Sequence, residues 1–328
     1  MLPQNLQLQI DKKAEEYSQK LLIENAKHIS NNYRFESGSN KVLLSTQSQA
    51  MAYAVSRMPA TYGACYSAIK NTLKNITTLP KNFLDVGAGT GTASWAVSEL
   101  LDLQTITCLE REPAMINLGK DFMKQGDQVL QTANWQKFDL QKDNISGTFD
   151  FIVASYVLNE FSEAERQKAV DKLWQATNNL LTIIEPGTPE GYRQIMAIKK
   201  QLVSKGAFVV APCAQSVCPL KNGEWSNFST RVARTKLHKQ MKSGDSPFED
   251  ERFIYISVSK TATNPIKNRV IKHPYFRPKV VSLELCTIDG IKTVQISKSN
   301  KQYKLARDLK HGDDFDVQPR FAHHLGRD

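Results

Sequence analysis

The 328-residue chain has the composition of an ordinary globular protein, with 41% apolar and 23% charged residues. This length predicts one large α/β domain with smaller attachments. No uninterrupted apolar run approaches the ~18 residues that a transmembrane helix needs, so we expect no membrane partner. The first thirty residues lack an apolar signal core and include four acidic residues. This pattern argues against a secretion signal or an import presequence and favours a cytoplasmic protein.

The positive charge of the chain is concentrated in its second part. Residues 1–191 carry 18 Lys/Arg and 21 Asp/Glu, whereas residues 192–328 carry 25 and 12. A lysine-rich solvated surface would explain part of this excess. Its segregation into one part of the chain favours a polyanionic partner, above all nucleic acid.

The first 78 residues are predicted to form a helical cap. Residues 4–30 and about 47–75 have helical patterns, and Pro59 marks a kink or break in the second. From residue 82 onward, short β-rich runs alternate with helical segments such as SEAERQKAVDKLWQATN. The predicted strands are NFLDV, TITCLE, QVLQTA, FDFIVAS, NLLTIIEP, AFVVA and RFIYISVSK. This order predicts parallel βαβ units in a Rossmann-like α/β domain over residues 79–262.

An insertion over residues 211–250 is predicted to carry a basic helix. Ala233, Leu237 and Met241 recur at spacing four, as on the buried side of a helix. His238 and four other basic residues fall on the opposite arc, and these four are predicted to contact RNA: Arg231, Arg234, Lys239 and Lys242.

The C-terminal part is predicted to form a small antiparallel β-module over residues 263–317, followed by a tail at 318–328. The alternating runs NRVIKH, KVVSLELC and KTVQISK indicate its strands. A second group of basic residues follows them, and it comprises Lys301, Lys304, Arg307 and Lys310.

The stretch FLDVGAGTGTASWA is the most specific motif. A strand runs into Asp85, Gly87, Gly89 and Gly91 and then into a helix. A phosphate-binding loop would need Gly-Lys-Ser/Thr, and a dinucleotide fingerprint would need a third glycine one residue later. The spacing therefore favours S-adenosylmethionine as the ligand.

Polar residues after the next strands support this prediction. Glu110 ends the strand TITCLE, where its carboxylate can accept both ribose hydroxyls of an adenosyl group, and Asp139 follows the third strand. The fourth strand ends at Ser155, next to the crevice where ligands of such sheets bind. Asn159 and Glu160 are candidate catalytic residues, because they could orient an acceptor or carry a proton. A plain helix start at that point is an equally good explanation.

The chain resembles the class I methyltransferases and, more narrowly, the methyltransferase-like assembly proteins of the small ribosomal subunit. The resemblance covers roughly residues 50–316. It is carried, in chain order, by RMPATY, LDVGAGTG, SYVLNE, IIEPGTPEGY, VVAPC, SPFEDERFIY, SLELC and KLARDLKHGD. The resemblance implies S-adenosylmethionine binding, association with small-subunit ribosomal RNA, and a four-iron four-sulfur cluster held by four cysteines.

The cysteines depart from the pattern of that family. Cys213, Cys218 and Cys286 match three of its ligands, but Ser226 stands at the remaining position and Ala214-Gln215 replaces Pro-His. A serine alkoxide is a poor ligand for iron–sulfur clusters at neutral pH, so we predict a degenerate site. A zinc site completed by His238 or His273 matches no ordinary spacing. Cys213 also lies too far along the chain to be the nucleophile of a 5-methylcytosine enzyme.

The predicted function is that of an S-adenosylmethionine-binding, methyltransferase-like monomer that engages small-subunit ribosomal RNA. The chain could methylate that RNA or act as a non-catalytic assembly factor. A small-molecule methyltransferase is the third possibility, and the basic second part of the chain argues against it.

Overall fold

The structure is a computed structural model. It describes residues 1–35, 44–213, 218, 220, 223–242, 245–263, 268–287, 289–316 and 323–325, and for residues 30–35 and 323–325 it describes the backbone alone. The helices are α1 Gln4–Ala14, α2 Gln19–Phe35, α3 Gln47–Ser56, α4 Met58–Leu73, α5 Thr92–Ser98, α6 Pro113–Met123, α7 Gln128–Gln131, α8 Glu163–Ala176, α9 Pro189–Ser204, α10 Lys236–Met241 and α11 Tyr303–Asp308. The strands are β1 Asn82–Val86, β2 Thr105–Glu110, β3 Asn134–Lys137, β4 Phe149–Ser155, β5 Thr177–Pro186, β6 Phe208–Ala211, β7 Phe228–Ala233, β8 Phe248–Ser259, β9 Arg269–Val270, β10 Tyr275–Arg277, β11 Val280–Thr287, β12 Gly290–Ser297 and β13 His323–Leu325.

The main sheet has the strand order β3-β2-β1-β4-β5-β8-β6. Strands β1 to β5 are parallel, and β8 is antiparallel to both β5 and β6. Helices cover both faces, which explains why residues 83–86 of β1 and 151–154 of β4 are buried. The predicted Rossmann-like α/β sheet is confirmed. The strand order reverses between β1 and β4, where ligands of such sheets bind.

The third strand of this sheet differs from its prediction. The run QVLQTA was expected to be β-structure, but α7 occupies residues 128–131 and the strand is the following NWQK. Leu130 is buried as a helical residue. Because β3 lies at the edge of the sheet and is largely exposed, its polar sequence carries little β signal.

The basic helix predicted across residues 231–242 is wrong over its first half. Residues 228–233 form β7, which pairs with β8 and places Arg231 opposite Asp250. Only Lys236–Met241 is helical, with the Thr235 side chain capping its first turn. The spacing of Ala233, Leu237 and Met241 resembled a helix, but the long-range pairing with β8 overrides that local pattern.

The N-terminal cap consists of four helices rather than the two that were predicted. The first predicted helix is interrupted at residues 15–18. The second is broken at Arg57, two residues before the kink or break predicted at Pro59. Pro59 lies in the first turn of α4, where its missing N–H costs no hydrogen bond. The capping box formed by Thr46 and Gln49 starts α3. Helices α3 and α4 are almost fully buried and join the cap to the main sheet.

A separate antiparallel sheet of five strands forms the predicted C-terminal module, with the order β10-β11-β12-β13 and β9 paired to β11. One face of β11 and β12 forms a small core with α11, and its members include Val281, Leu283, Val294 and Ala306. Strands β10 and β13 were not predicted. Ala214, Gln215 and most of the predicted tail lie outside the described residues. In the described part of the chain, no helix is long and apolar enough to cross a bilayer.

Candidate functional site

The main cavity lies at the carboxyl ends of β1, β2 and β4 and has a volume of about 850 Å³. Most of the predicted ligand residues line it, namely Gly87, Gly89, Glu110, Asp139, Ser155, Asn159 and Glu160. The cap contributes Tyr53 and Arg57, and the insertion contributes Arg234 and Lys242. The cavity is therefore enclosed by three parts of the chain that are distant in sequence.

The glycine turn between β1 and α5 needs glycine for its backbone. Gly87 and Gly89 have φ values of +65° and +58°, in the left-handed region that favours glycine. A Cβ at Gly87 would lie 2.8 Å from a methyl carbon of Val157, whereas at Gly89 the nearest protein atom would be Met115 Cε at 3.4 Å. A side chain at Gly89 would therefore meet little protein, although Gly89 borders the cavity.

Glu110 connects the glycine turn to the end of β2. The backbone N–H of Gly89 donates to its Oε2 at 2.7 Å, and the N–H of Glu112 donates to its Oε1 at 2.8 Å. Burial raises the pKa of Glu110, and these backbone hydrogen bonds oppose that shift. Each carboxylate oxygen keeps a further lone pair for a ligand hydroxyl.

Asp85 and Gly91 are not among the residues that line the cavity. The Asp85 carboxylate accepts hydrogen bonds from Ser94 N at 3.0 Å and Ser94 Oγ at 2.8 Å, inside the first turn of α5. Burial raises the pKa of Asp85 to about 7. Gly91 is the N-cap of α5, with φ +80°. Both residues support the turn without lining the cavity. A direct contact of either residue with a ligand stays a prediction.

The segment after β4 is held rigidly at the cavity. Leu158 N donates to Glu185 Oε1 at 3.0 Å, and Arg166 donates to the carbonyl oxygens of Leu158 and Phe161. The Asn159 Oδ1 atom is buried and has no hydrogen-bond partner among the described residues. Burial raises the pKa of Glu160 to about 7, with Arg111 opposing the shift. A carboxyl group that titrates near neutral pH can carry a proton.

Asp139 also lines the cavity, but its pKa is shifted in the opposite direction from that of Glu160. It forms an ion pair with Lys142 at 3.1 Å and accepts a hydrogen bond from Gln141 N. Although burial opposes the shift, these contacts lower the pKa of Asp139. Asp139 is therefore ionised at neutral pH and can accept hydrogen bonds from a ligand.

The basic residues of the insertion do not form the exposed arc that was predicted. Arg234 and Lys242 both bind Glu249, at 2.8 and 2.7 Å, beside the cavity. His238 is buried and lies 3.5 Å from the same carboxylate. Although burial opposes them, these three contacts hold the pKa of Glu249 well below its usual range. Arg231 is exposed but is paired with Asp250 at 2.8 Å.

A second ionic contact, which sequence reasoning missed, joins the cap to the same region. Arg57 lies 3.5 Å from Glu251, and the Tyr156 hydroxyl donates to that carboxylate at 3.0 Å. Tyr156 has φ +57°, a strained value for a residue with a side chain. The sequence feature that could have pointed to Arg57 was its position in the RMPATY motif. Its partner lies 194 residues away, which a single sequence does not reveal.

Two of the three predicted cysteine ligands are in direct contact. The Cys286 thiol donates a hydrogen bond to Cys213, which, together with Arg269 and Lys199, lowers the pKa of Cys213 to about 6. Cys218 accepts a hydrogen bond from the Tyr192 hydroxyl at 3.2 Å. All three thiols act electrostatically on Lys199 and partly oppose the lowering of its pKa by burial. The structure thus gathers these cysteines from distant parts of the chain.

The donor set does not fit a complete iron–sulfur cluster. Ser226, at the position of the remaining ligand, is half-buried in the loop before β7, and a serine oxygen is a poor ligand for iron. Among the described residues there is no group of three or more His, Cys, Asp or Glu side chains placed to hold a metal ion. The imidazole of His238 lies 3.5 Å from the Glu249 carboxylate instead. The prediction of a degenerate metal site stays a prediction.

The fold and the cavity together define the class of protein. A parallel sheet with one reversed strand, a glycine turn after β1 and a carboxylate at the end of β2 are features of the class I methyltransferase fold. The chain belongs to the Rsm22 family, described as mitochondrial small ribosomal subunit Rsm22, whose sequence model matches residues 47–316. This match confirms the family resemblance predicted from the motifs.

One curated relative is the ribosome assembly protein METTL17, mitochondrial, from Homo sapiens. It is 25% identical over 266 residues, which cover 75% of this chain and 57% of the relative. The chain therefore spans little more than half of that protein's length.

The similar solved structures include a putative RNA methyltransferase from Pyrococcus horikoshii, with 14% identity, a TM-score of 0.39, and coverage of 73% of this chain and 96% of that one. Another is the N-methyltransferase NodS from Bradyrhizobium japonicum, with 10% identity, a TM-score of 0.42, and coverage of 64% and 91%. Similarity at this level carries no functional argument.

Replacement of Glu185 by Gln should flatten the dependence of stability on pH. Burial raises the pKa of Glu185 to about 8 from an ordinary 4.5. Between these values the folded protein retains a proton that the unfolded chain releases, so the free energy of unfolding falls as pH rises, by up to about 1.4 kcal/mol per pH unit. Glu185→Gln removes this contribution. Urea unfolding between pH 5 and 8 measures it, with the exposed Glu190→Gln as control. Equal slopes in both variants would contradict the assignment.

Replacement of Ser226 by Cys should raise the iron content of the protein. We expect wild-type protein purified without oxygen to carry little iron, because the ligand set lacks one thiolate. Ser226→Cys supplies it, and Ser229→Cys places a thiol on the exposed side of the adjacent β7 as a control. Iron analysis and visible absorption are the measurements. About four irons per wild-type chain would show that the serine does not disable the site.

Proposed function

We propose that this protein binds S-adenosylmethionine and takes part in the assembly of the small ribosomal subunit. The cavity formed by the glycine turn and Glu110 carries the first part of the proposal. Membership of the Rsm22 family and the similarity to a ribosome assembly protein support the second part. The excess of basic residues after position 191 is consistent with an RNA partner.

The cavity suits an adenosyl ligand in size and chemistry. Its volume of about 850 Å³ lies in the usual range for small-molecule sites, roughly 300–1,000 Å³. Gly89 allows close approach of a ligand, and Glu110 and Asp139 offer carboxylate oxygens for hydroxyl and amino groups. When bound, S-adenosylmethionine supplies an activated methyl group. Whether that group is transferred depends on an acceptor.

The charges around the cavity favour an assembly protein over an RNA methyltransferase. The cap and the insertion contribute four cations to the cavity wall, and they are Lys27, Arg57, Arg234 and Lys242. The last three are already paired with Glu251 or Glu249. An RNA segment that delivered a base to this cavity would therefore compete with carboxylates for most of the cations that its phosphates could contact there.

The alternatives to this role are methyltransferases that differ in the molecule that accepts the methyl group. If methyl transfer to RNA does occur, Asn159 and Glu160 are the groups placed to orient the acceptor or take its proton. A small-molecule methyltransferase would fit the same cavity, and the basic C-terminal part of the chain is the argument against it. The cytoplasmic location and the monomeric state stay predictions.

Gly89→Val should abolish S-adenosylmethionine binding while the protein stays folded. The valine side chain has room on the protein side, with Met115 Cε 3.4 Å from its Cβ, but it would project where the ligand approaches. Gly147→Val is the matched control, because Gly147 also has a positive φ and a Cβ there would have no neighbour within 4 Å. Titration calorimetry gives the affinity. Unchanged affinity in Gly89→Val would refute the site.

Association with immature small ribosomal subunits should occur without transfer of the methyl group. The wild type and Gly89→Val are mixed with immature subunits and labelled S-adenosylmethionine, and co-sedimentation and incorporated label are both measured. We expect wild-type protein to sediment with the subunits and the RNA to remain unlabelled. Stoichiometric labelling that disappears in Gly89→Val would instead identify an RNA methyltransferase. Failure to sediment under either condition would reject the ribosomal role.

A further inference from the structure

We propose that the C-terminal module binds single-stranded RNA through an exposed aromatic and basic surface at strand β10. We define this β10 surface as Tyr275, Phe276, Arg277, Lys279 and Lys298. The inference rests on the proposed ribosomal function and specifies where RNA is held. It replaces the basic helix that the sequence suggested, since the structure pairs three of the four cations proposed there, Arg231, Arg234 and Lys242, with carboxylates.

Two adjacent aromatic side chains of β10 are exposed to solvent. Tyr275 is 60% exposed and Phe276 is 55% exposed, although the module buries its aliphatic residues well. The Arg277 guanidinium lies 5.4 Å from the centre of the Tyr275 ring, close enough for a cation–π contact. Exposed rings next to cations are typical of surfaces on which unpaired bases stack.

The sheet register places Tyr275 and Arg277 beside a polar face. They lie opposite Ser282 and Val280 of β11, and the same register continues to Gln295 and Ser297 of β12. These four partners are exposed or half-buried, whereas the side chains on the other face form the core of the module with α11. Phe276 lies opposite Val281 of that other face, at its exposed edge. A nucleic acid strand could therefore lie across the polar face without disturbing the core.

The cations of the β10 surface are available for phosphate. Lys279 lies in the turn between β10 and β11, and Lys298 N donates to its carbonyl oxygen at 2.7 Å, so the two residues are neighbours. Within the part of the chain that the structure describes, Arg277, Lys279 and Lys298 form no ion pair with a carboxylate. These three cations and the exposed rings of the same short segment match the charge and the bases of RNA together.

The sequence around β10 disfavours a protein strand as the occupant of this edge. Strand β10 has only three residues and is flanked by Pro274 and Pro278. Proline lacks the N–H that an added strand would need, and short proline-flanked edges prevent strand pairing. Single-stranded RNA uses side chains and ring faces instead of a hydrogen-bonded ladder. Duplex RNA hides the base faces that Tyr275 and Phe276 would contact.

The aromatic contribution is tested with a fluorescent single-stranded oligonucleotide of about ten nucleotides, within the usual site size of such surfaces. Tyr275→Ala combined with Phe276→Ala should weaken binding by tenfold or more, because base stacking on an aromatic ring contributes about 1–3 kcal/mol. Tyr275→Phe should retain binding. Phe208→Ala is the control, since Phe208 is 46% exposed on another sheet. Duplex RNA of the same sequence should bind more weakly than the single strand.

The ionic contribution is measured by repeating the titration at several salt concentrations. Changing Arg277, Lys279 and Lys298 to Ala should reduce the slope of log affinity against log salt by about two, because each phosphate contact on a single strand contributes about 0.7. The control changes three exposed lysines elsewhere, Lys20, Lys137 and Lys168, and removes the same charge. An equal loss of slope in both triple variants would mean that only net charge matters and would overturn the proposal.

The remaining outcomes separate this inference from the proposed function. If the aromatic double variant binds RNA as well as Phe208→Ala, the β10 surface is not the RNA site, even if the protein still sediments with small subunits. If the oligonucleotide does not bind but an isolated ribosomal protein does, the surface is a protein contact and the inference fails. Unchanged thermal unfolding and S-adenosylmethionine affinity in each variant show that a loss of RNA binding is local.

Discussion

The contact between Glu110 and the backbone of the glycine turn is the interaction on which the cavity depends. Gly89 N donates to the carboxylate from the turn after β1, and Glu112 N donates to it from the segment after β2. Gly87 N and Ala88 N donate to the carbonyl oxygen of Leu109. The turn is thus hydrogen-bonded both to the backbone of β2 and to the side chain at its end. Ligand binding then requires little ordering of the floor of the cavity, which lowers its entropic cost.

The opposite wall of the cavity is assembled by ionic contacts as well as by apolar packing. Glu249 binds Arg234 and Lys242, while Glu251 contacts Arg57 of the cap. These ion pairs are partly buried, and loss of one partner would leave a charge poorly solvated. The cap and the insertion are therefore coupled through neighbouring residues of β8. This coupling explains how segments almost two hundred residues apart share one wall.

The sequence predicted correctly those elements whose structure is determined by residues close together in the chain. Strands β1, β2 and β4 match their predicted bounds residue for residue, because each is a short β-rich run that is mostly buried and ends at a change of pattern. The glycine turn and Glu110 were found for the same reason. The insertion was misread because β7 is defined by its pairing with β8, and the spacing of Leu237 and Met241 gave a helical signal. No local pattern revealed that Arg234 and Lys242 share Glu249.

The β10 surface was also missed by the sequence prediction. The segment HPYFRPK has two prolines in seven residues, and this composition is typical of a loop. Only the pairing with β11 shows that its aromatic residues stand at the edge of a sheet. Lys301, Lys304, Arg307 and Lys310 are exposed as expected. Their role in RNA binding stays a prediction.

The charge of the chain is distributed unevenly along its sequence. Residues 1–191 carry more acidic than basic side chains, while residues 192–328 carry 25 Lys/Arg against 12 Asp/Glu, and several cations of the insertion are neutralised by close partners. A polyanion therefore attracts the chain chiefly through residues after position 191, before any contact forms. Salt shortens the range of this attraction to about 10 Å at 0.1 M ionic strength.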